Sequence, residues 1–397
     1  MILFKNCRLL APLTEGFDGE LGDVLVNDEN IIEAISAPGS MECPEARVVE
    51  VNGNTLLPGF FDLHTHLCVD NMDFKGMRDR TDVEQGLEVV NYAREYLKQG
   101  YTTIRDAGCP ANAVVAARNA AKKGYFNIPE LISSGQIITP TEEGSATFGT
   151  MYTMADSPYE VRKAVRRQYE LGNDVTKVMV TGAYLNDAGT PGALIMMEDE
   201  LREAVHVAKL KDGYVMGHAH GAEGIKLAVK CGVRTIEHGS FIDDEGIEML
   251  KDSETSWLVP TAAIGIACLD DDGANLSEAV MEKSKKYEFM EKNCVNKAYR
   301  AGLKMGFGSD IDLENFVKHP GMEFYARTDW FDFEYMDILL QATKYSAEIA
   351  GMADRKGTIK VGKNAELVVI EGKPDEDIYT MKKMPLYVYY NGELIEN

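Results

Sequence analysis

The chain has 397 residues, 45% of them hydrophobic, which is enough to bury one large core with a smaller satellite and excludes wholesale disorder. Its 41 Lys and Arg against 64 Asp and Glu give a formal net charge of −23. Such a field repels nucleic acid and anionic membrane and leaves small-molecule chemistry as the fitting class.

The first apolar run, MILFKNCRLL, is too short for a signal h-region, and no stretch approaches the roughly 20 apolar residues of a membrane helix. The seven Cys are scattered and never form CxxC. That pattern suits a reducing compartment, the cytoplasm by default, rather than a disulfide framework. Residues 1–57 alternate short β-rich runs with Gly, Asn and Pro turns, as in GDVLVNDENIIEAIS, and predict a small antiparallel sheet with no long helix. From 58 to 352 apolar segments of four to eight residues alternate with longer amphipathic ones, the texture of a βα repeat. The predicted strands are FFDLHTHL, TTIRDAG, ELISSGQII, TKVMVTG, YVMGHAHG, RTIEHGS, SWLVPTA and KMGFGSD, with helices such as DVEQGLEVVNYAREYLKQG and MEKSKKYEFMEKNCVNKAYRAG between them. Most of these helices end at the Gly expected past a helix C-terminus. Eight such units predict an α/β fold, a (β/α)8 TIM barrel over 58–352. The tail, 353–397, returns to β texture with an Asn391-Gly392 hairpin turn. Both ends of the chain are expected to join in one small β-sandwich domain, 1–57 with 353–397.

His64 and His66 lie two apart in the first of these strands, so they point to one face at the strand's C-terminal end, where TIM-barrel sites gather. Lys177 sits in an apolar strand where an unpaired ammonium is costly to bury. It is either salt-bridged or snorkelling, or it is a carbamate formed with CO2, an anion able to bridge two metals about 3.5–4 Å apart. His218 and His220 end the fifth strand, His238 the sixth and Asp310 the eighth. His206 falls in an amphipathic helix and His319 in a loop, as surface or loop residues.

His64-x-His66, Lys177, His218, His238 and Asp310, in that order and on those strands, resemble the binuclear subtype of the amidohydrolase superfamily. ITPT at 138–141, HAHG at 218–221, EHG at 237–239 and the tail KVGKNAELVVIEGKP are similar to its imidazolonepropionase-like and prolidase-like branch. The resemblance implies two divalent metal ions, zinc being the expected metal, with His64, His66 and Asp310 on the more buried one. His218 and His238 fall on the more exposed one, and Lys177, N-carboxylated by CO2, bridges the pair. His218 rather than His220 is the implied fifth-strand ligand, because the branch places that ligand first in HAH. The implied reaction is cleavage of an amide or peptide-like C–N bond, such as that of a dipeptide or N-acyl amino acid, by a metal-bridging hydroxide.

In that scheme Asp310 is general base and then general acid. His220 and Tyr184 hydrogen-bond the carbonyl or oxyanion, Tyr184 being equally readable as a rim aromatic. Arg105 either binds a substrate carboxylate or pairs structurally with Asp106 or another acid. Cys68 and Cys109, near strand ends, read as packing. The expected partner is a small-molecule amide, without nucleic acid or membrane, and a homo-oligomer is compatible with the sequence.

Two positions depart from the branch. The proton-shuttle Glu that deaminases and imidazolonepropionases place three residues after the fifth-strand His is here Gly221. The Gly-Gly-His-Gly run after ITPT is replaced by TEEGSATFG. The competing readings are a mononuclear deaminase or cyclic amide or lactone hydrolase on the same barrel, and a catalytically silent assembly protein. The second is disfavoured because no ligand is missing.

Overall fold

A computed structural model describes residues 1–186, 188–269 and 276–396. It is an α/β fold with two all-parallel sheets and one mostly antiparallel sheet. No helix among the described residues is long and apolar enough to cross a membrane.

The mixed sheet has eight strands drawn from both ends of the chain. Leu367–Ile370 inserts antiparallel against Thr55–Pro58, pairing Leu367 with Pro58 and Ile370 with Thr55. Phe4, Val24, Val26, Leu56, Leu367 and Val369 form its own apolar core. Tyr387–Tyr390 and Glu393–Glu396 pair through Asn391-Gly392, whose φ values of 49° and 82° are those of a type I′ turn. The sheet departs from the expected antiparallel pattern around the interior strand Ile2–Arg8, which runs parallel to Arg47–Glu50 and, at Arg8, to Thr55–Pro58.

The first parallel sheet contains Phe60–Thr65, Tyr101–Asp106 and Glu130–Ser133. The second runs Tyr152–Met154, Ile137–Thr139, Thr176–Met179, Val215–Gly221, Thr235–Phe241, Trp257–Val259. The predicted third strand is therefore split: Glu130–Ser133 stays in one sheet and Ile137–Thr139 passes to the other, across Gly135 at φ 67°. The predicted eighth strand is reduced to a single bridge, Leu258 to Met305. Its backbone still spans the two sheets, with Gly306 N–H donating to Leu258 (2.8 Å) and Leu63 N–H to Phe307 (2.8 Å). Crowding explains the loss of regular pairing. A Cβ at Gly306 would lie 2.7 Å from Ile349 Cδ1, and one at Gly308 would lie 2.7 Å from His64 Cβ.

The helices follow the sequence cues. Asp82–Lys98 starts at a Thr81 capping box completed by Glu84, and Pro158–Glu170 starts at Ser157. Glu278–Arg300, capped by Ser277, begins three residues before the expected start at Met281. Gly100, Gly172 and Gly302 turn the chain out of their helices at φ 90°, 89° and 82°, whereas Asp212, at φ 56°, takes that role after Glu198–Lys209.

A buried ion pair ties the atypical eighth segment to the helices. Arg327 donates from Nε to Glu323 (2.6 Å), from Nη1 to the Gly306 carbonyl (2.9 Å) and from Nη2 to the Pro260 carbonyl (2.6 Å). Glu323 also accepts the amides of Ala262 and Ala263. Replacing Arg327 by Met leaves a buried carboxylate without its cation, so Arg327→Met is expected to destabilise the fold by about 3–5 kcal/mol. The measurement is the midpoint of urea unfolding against the wild-type chain.

Candidate active site

Four strands and the segment carrying Asp310 converge on one cavity, lined by His64, His66, Lys177, His218, His220, His238, Asp310 and Tyr184. Side chains two apart in a strand share a face, which is why the pairs 64/66 and 218/220 both point inward. His238 and Asp310 reach the cavity from left-handed backbone, at φ 69° and 54°. Non-glycine residues seldom adopt that conformation, and it costs of order 1–3 kcal/mol where it is enforced.

Two groups of donor atoms result. His64, His66 and Asp310 bring theirs within 4.8 Å of one another, and so do His218, His220 and His238. The groups adjoin, the His64 and His238 ring centroids being 4.7 Å apart. Lys177 Nζ is fully buried beside them, 3.4 Å from His64 Nε2. Either group could hold a divalent cation through imidazole nitrogen and carboxylate oxygen.

The hydrogen bonds behind the imidazoles fix which nitrogen is free. His64 Nδ1 donates to Glu237 Oε2 (2.7 Å) and His66 Nδ1 to the Gly108 carbonyl (2.9 Å). His220 Nδ1 lies 2.8 Å from Ser240 Oγ, whose own hydrogen goes to Glu291 at 2.6 Å, so the imidazole is the donor there. His238 Nδ1 lies 2.9 Å from Thr261 Oγ1. These bonds leave the Nε2 lone pairs of His64, His66 and His220 facing the cavity. His218 Nε2 is buried with no partner at all, an orphan that a cation would satisfy.

Burial sets the protonation states. It holds all five imidazoles below their ordinary range, assisted by the charge of Lys177, with His66 at about 4 and His220 at about 3. At neutral pH they are uncharged bases. Burial also lowers the Lys177 ammonium to about 8, against the pull of Glu237 and Asp310. It raises the Asp310 carboxyl to about 7 despite the opposing charge of Lys177.

Arg105 follows the second of its two expected roles, a structural pairing, and not the substrate contact. It does not line the cavity but lies fully buried beneath it, donating to the Leu63 carbonyl (2.7 Å), Thr235 Oγ1 (3.0 Å) and Glu237 Oε1 (3.0 Å). Its acid is Glu237, not Asp106, whose carboxylate accepts the amides of Leu67 and Gly108 instead. Tyr184 does reach the cavity, its ring 4.7 Å from that of His220 and its buried hydroxyl without a partner. His206 is exposed on its helix and His319 ends the helix Leu313–Lys318, as expected. Cys68 and Cys109 are buried.

Reading the sequence missed Glu237, Thr261, Ser240, Trp330 and Glu291. Glu291 had a signal: Val280, Ser284, Tyr287, Glu291, Val295 and Ala298 recur every three or four residues, the inner stripe of one helix.

Residues 55–395 match the model of the amidohydrolase family. Ochratoxinase of Aspergillus niger is 25% identical over 377 residues, covering 86% of this chain and 75% of that protein. A solved Xaa-Pro dipeptidase with methionine in its active site is 26% identical, with a TM-score of 0.87 and full coverage of both chains. A prolidase complexed with N-methylphosphonate-L-proline is 27% identical, with a TM-score of 0.88 and coverage of 100% of this chain and 99% of that one.

Because Glu237 fixes the His64 tautomer from behind, Glu237→Gln is expected to weaken zinc binding by about 10–100-fold. Competition against a chromogenic chelator measures it; unchanged affinity would mean that the tautomer is set elsewhere.

Proposed function

The chain belongs to the amidohydrolase family, and from that premise we propose that it cleaves an amide or peptide-like bond of a small molecule at a site prepared for two divalent cations. It is a hydrolase of carbon–nitrogen bonds. The observation that carries the finer reading is the pair of adjoining three-donor groups with a buried lysine beside His64.

In this reading His64, His66 and Asp310 hold one cation, and His218 and His238 the other, zinc being the expected metal. The orphaned Nε2 favours His218 over His220 as a ligand. Lys177 would contribute to holding both as a carbamate, formed when its neutral amine attacks CO2, making a C–N bond and releasing one proton. The cations, when bound, supply a water of lowered pKa and polarise the substrate carbonyl. Asp310, raised to about 7 by burial, accepts a proton from the attacking water and passes it to the departing nitrogen. Tyr184 and His220 line the same wall and stabilise the developing oxyanion by hydrogen bonding. We further propose that the two parallel sheets form one (β/α)8 barrel over 58–352, with 1–57 and 353–397 as a separate β domain.

Deamination fits less well. A Cβ at position 221 would lie 2.1 Å from the Gly192 carbonyl oxygen. The position therefore accepts no side chain, and the carboxylate that would shuttle a proton there has no room.

The test is a screen of dipeptides and N-acyl amino acids with zinc-loaded protein, together with metal analysis. Wild type is expected to carry two metal equivalents and to turn over at least one amide. Lys177→Ala is expected to lose metal and more than about 100-fold of activity, beyond the usual effect of an outer-shell partner. A mutant that keeps both overturns the proposal.

A pH dependence follows from the same residue. Only the neutral amine reacts with CO2, and Lys177 is lowered to about 8, so its reactive fraction grows as pH rises toward that value. At fixed dissolved CO2, zinc reconstitution of metal-free protein should accelerate about tenfold per pH unit from roughly pH 6 to 8 and then level off. Flat kinetics across that range would exclude carbamate formation as the slow step.

A further inference from the structure

The cavity beyond the histidines is apolar on one side, with Met72, Phe74, Ile137, Phe148 and Tyr152 in its wall. Its charges are lopsided. Among the described residues lining it, Lys177 is the one Lys or Arg, and it is committed beside His64. A free carboxylate on a substrate therefore meets no cation of its own in this wall.

The carboxylates differ in their commitments. Asp310 belongs to the proposed metal site. Asp312 caps the helix Leu313–Lys318, accepting Asn315 N–H (3.2 Å) and its side-chain amide (2.7 Å). Glu291 remains. It enters on the inner stripe of Glu278–Arg300 and takes one hydrogen bond, from Ser240. Burial pushes the Glu291 carboxyl up to about 7, while Ser240 and Trp330 draw it back down; the buried Trp330 indole nitrogen has no hydrogen-bond partner. Tyr184 and Trp330 line the cavity with it. The neighbouring Lys292 does not neutralise Glu291 from within the cavity: its ammonium is bound to Glu288 (2.6 Å) and lies 3.9 Å from the Trp330 ring centroid.

A half-buried carboxylate between aromatic rings is the chemistry that receives an ammonium, through a charge-assisted hydrogen bond and cation–π contact. The net charge of −23 adds a field that draws cations toward such a cleft. We propose that Glu291 binds the protonated amine of the substrate, so that the preferred amides carry a free amino group. The Ser240 link places Glu291 directly behind His220, on the side of the His218 and His238 group. The amine therefore belongs to the acyl half, as in an aminoacyl amide or a dipeptide with a free N-terminus, and N-acylated amino acids are poor substrates. This assignment rests on the hydrolase reading for its orientation, but the recognition itself does not require turnover.

Calorimetric titration of the zinc-loaded full chain with 2-phenylethylamine and with the uncharged 2-phenylethanol separates the two. The amine is expected to bind at least about tenfold more tightly, a typical value for one charge-assisted contact. In Glu291→Gln the preference should shrink to about twofold or less, while Glu291→Asp, which restores the charge, should retain most of it. An amine bound no more tightly than the alcohol by wild type, or a preference that survives in Glu291→Gln, overturns the proposal. Absence of amide turnover would instead count against the hydrolase reading and leave the binding result standing. Where turnover is seen, the kcat/KM ratio of phenylalanyl amides to their N-acetyl forms should fall by a similar factor in Glu291→Gln, mainly through KM.

Discussion

A guanidinium buried beneath the cavity holds the site in register. From Tyr101–Asp106, Arg105 directs its donors to the Leu63 carbonyl on Phe60–Thr65 and to Thr235 and Glu237 on Thr235–Phe241, so that three strands meet at one side chain. Glu237 in turn grips His64. A charge in the interior is tolerated only when its partners are complete, so the three strands are fixed relative to one another by the demands of one side chain. The first histidine of the site inherits that precision: its ring plane and its proton are both decided from below, before anything enters the cavity.

The other imidazoles are held in the same manner by less costly partners. A backbone carbonyl serves His66, Ser240 serves His220 and Thr261 serves His238. Thr261 is steadied in its turn, since the adjoining Pro260 carbonyl and Ala262 amide are bonded to Arg327 and Glu323. The two buried Arg–Glu pairs thus flank the cavity from different directions. The unusual backbone of His238 and Asp310 can persist because these surroundings over-determine it.

How much of this could be read in the chain depends on the range of the interaction. His64-x-His66 and His218-x-His220 were legible because the two-residue period of a strand is local, and so were the capped helices and the Asn391-Gly392 turn. The eighth segment was expected as a regular strand and is a single bridge, because Ile349 and His64 press on it at Gly306 and Gly308, a crowding by distant residues that local sequence does not reveal. Arg105 stayed open between a substrate contact and a structural pairing because strand position gives a residue's height in the sheet and not its partner, and Glu237 lies 132 residues away. Glu291 was overlooked because a charged residue on a long amphipathic helix is ordinarily solvated; only the spacing of Ser284, Tyr287 and Val295 around it pointed inward.

The pairing of Thr55–Pro58 with Leu367–Ile370 has a consequence for biosynthesis. The N-terminal strands leave the ribosome with one edge unpaired, and the segment that covers it lies about 310 residues downstream. At about 5–20 residues per second of translation, that edge waits roughly 15–60 s for its neighbour. During that interval the nascent β segment is an open template, and completion of the tail is the event that seals it.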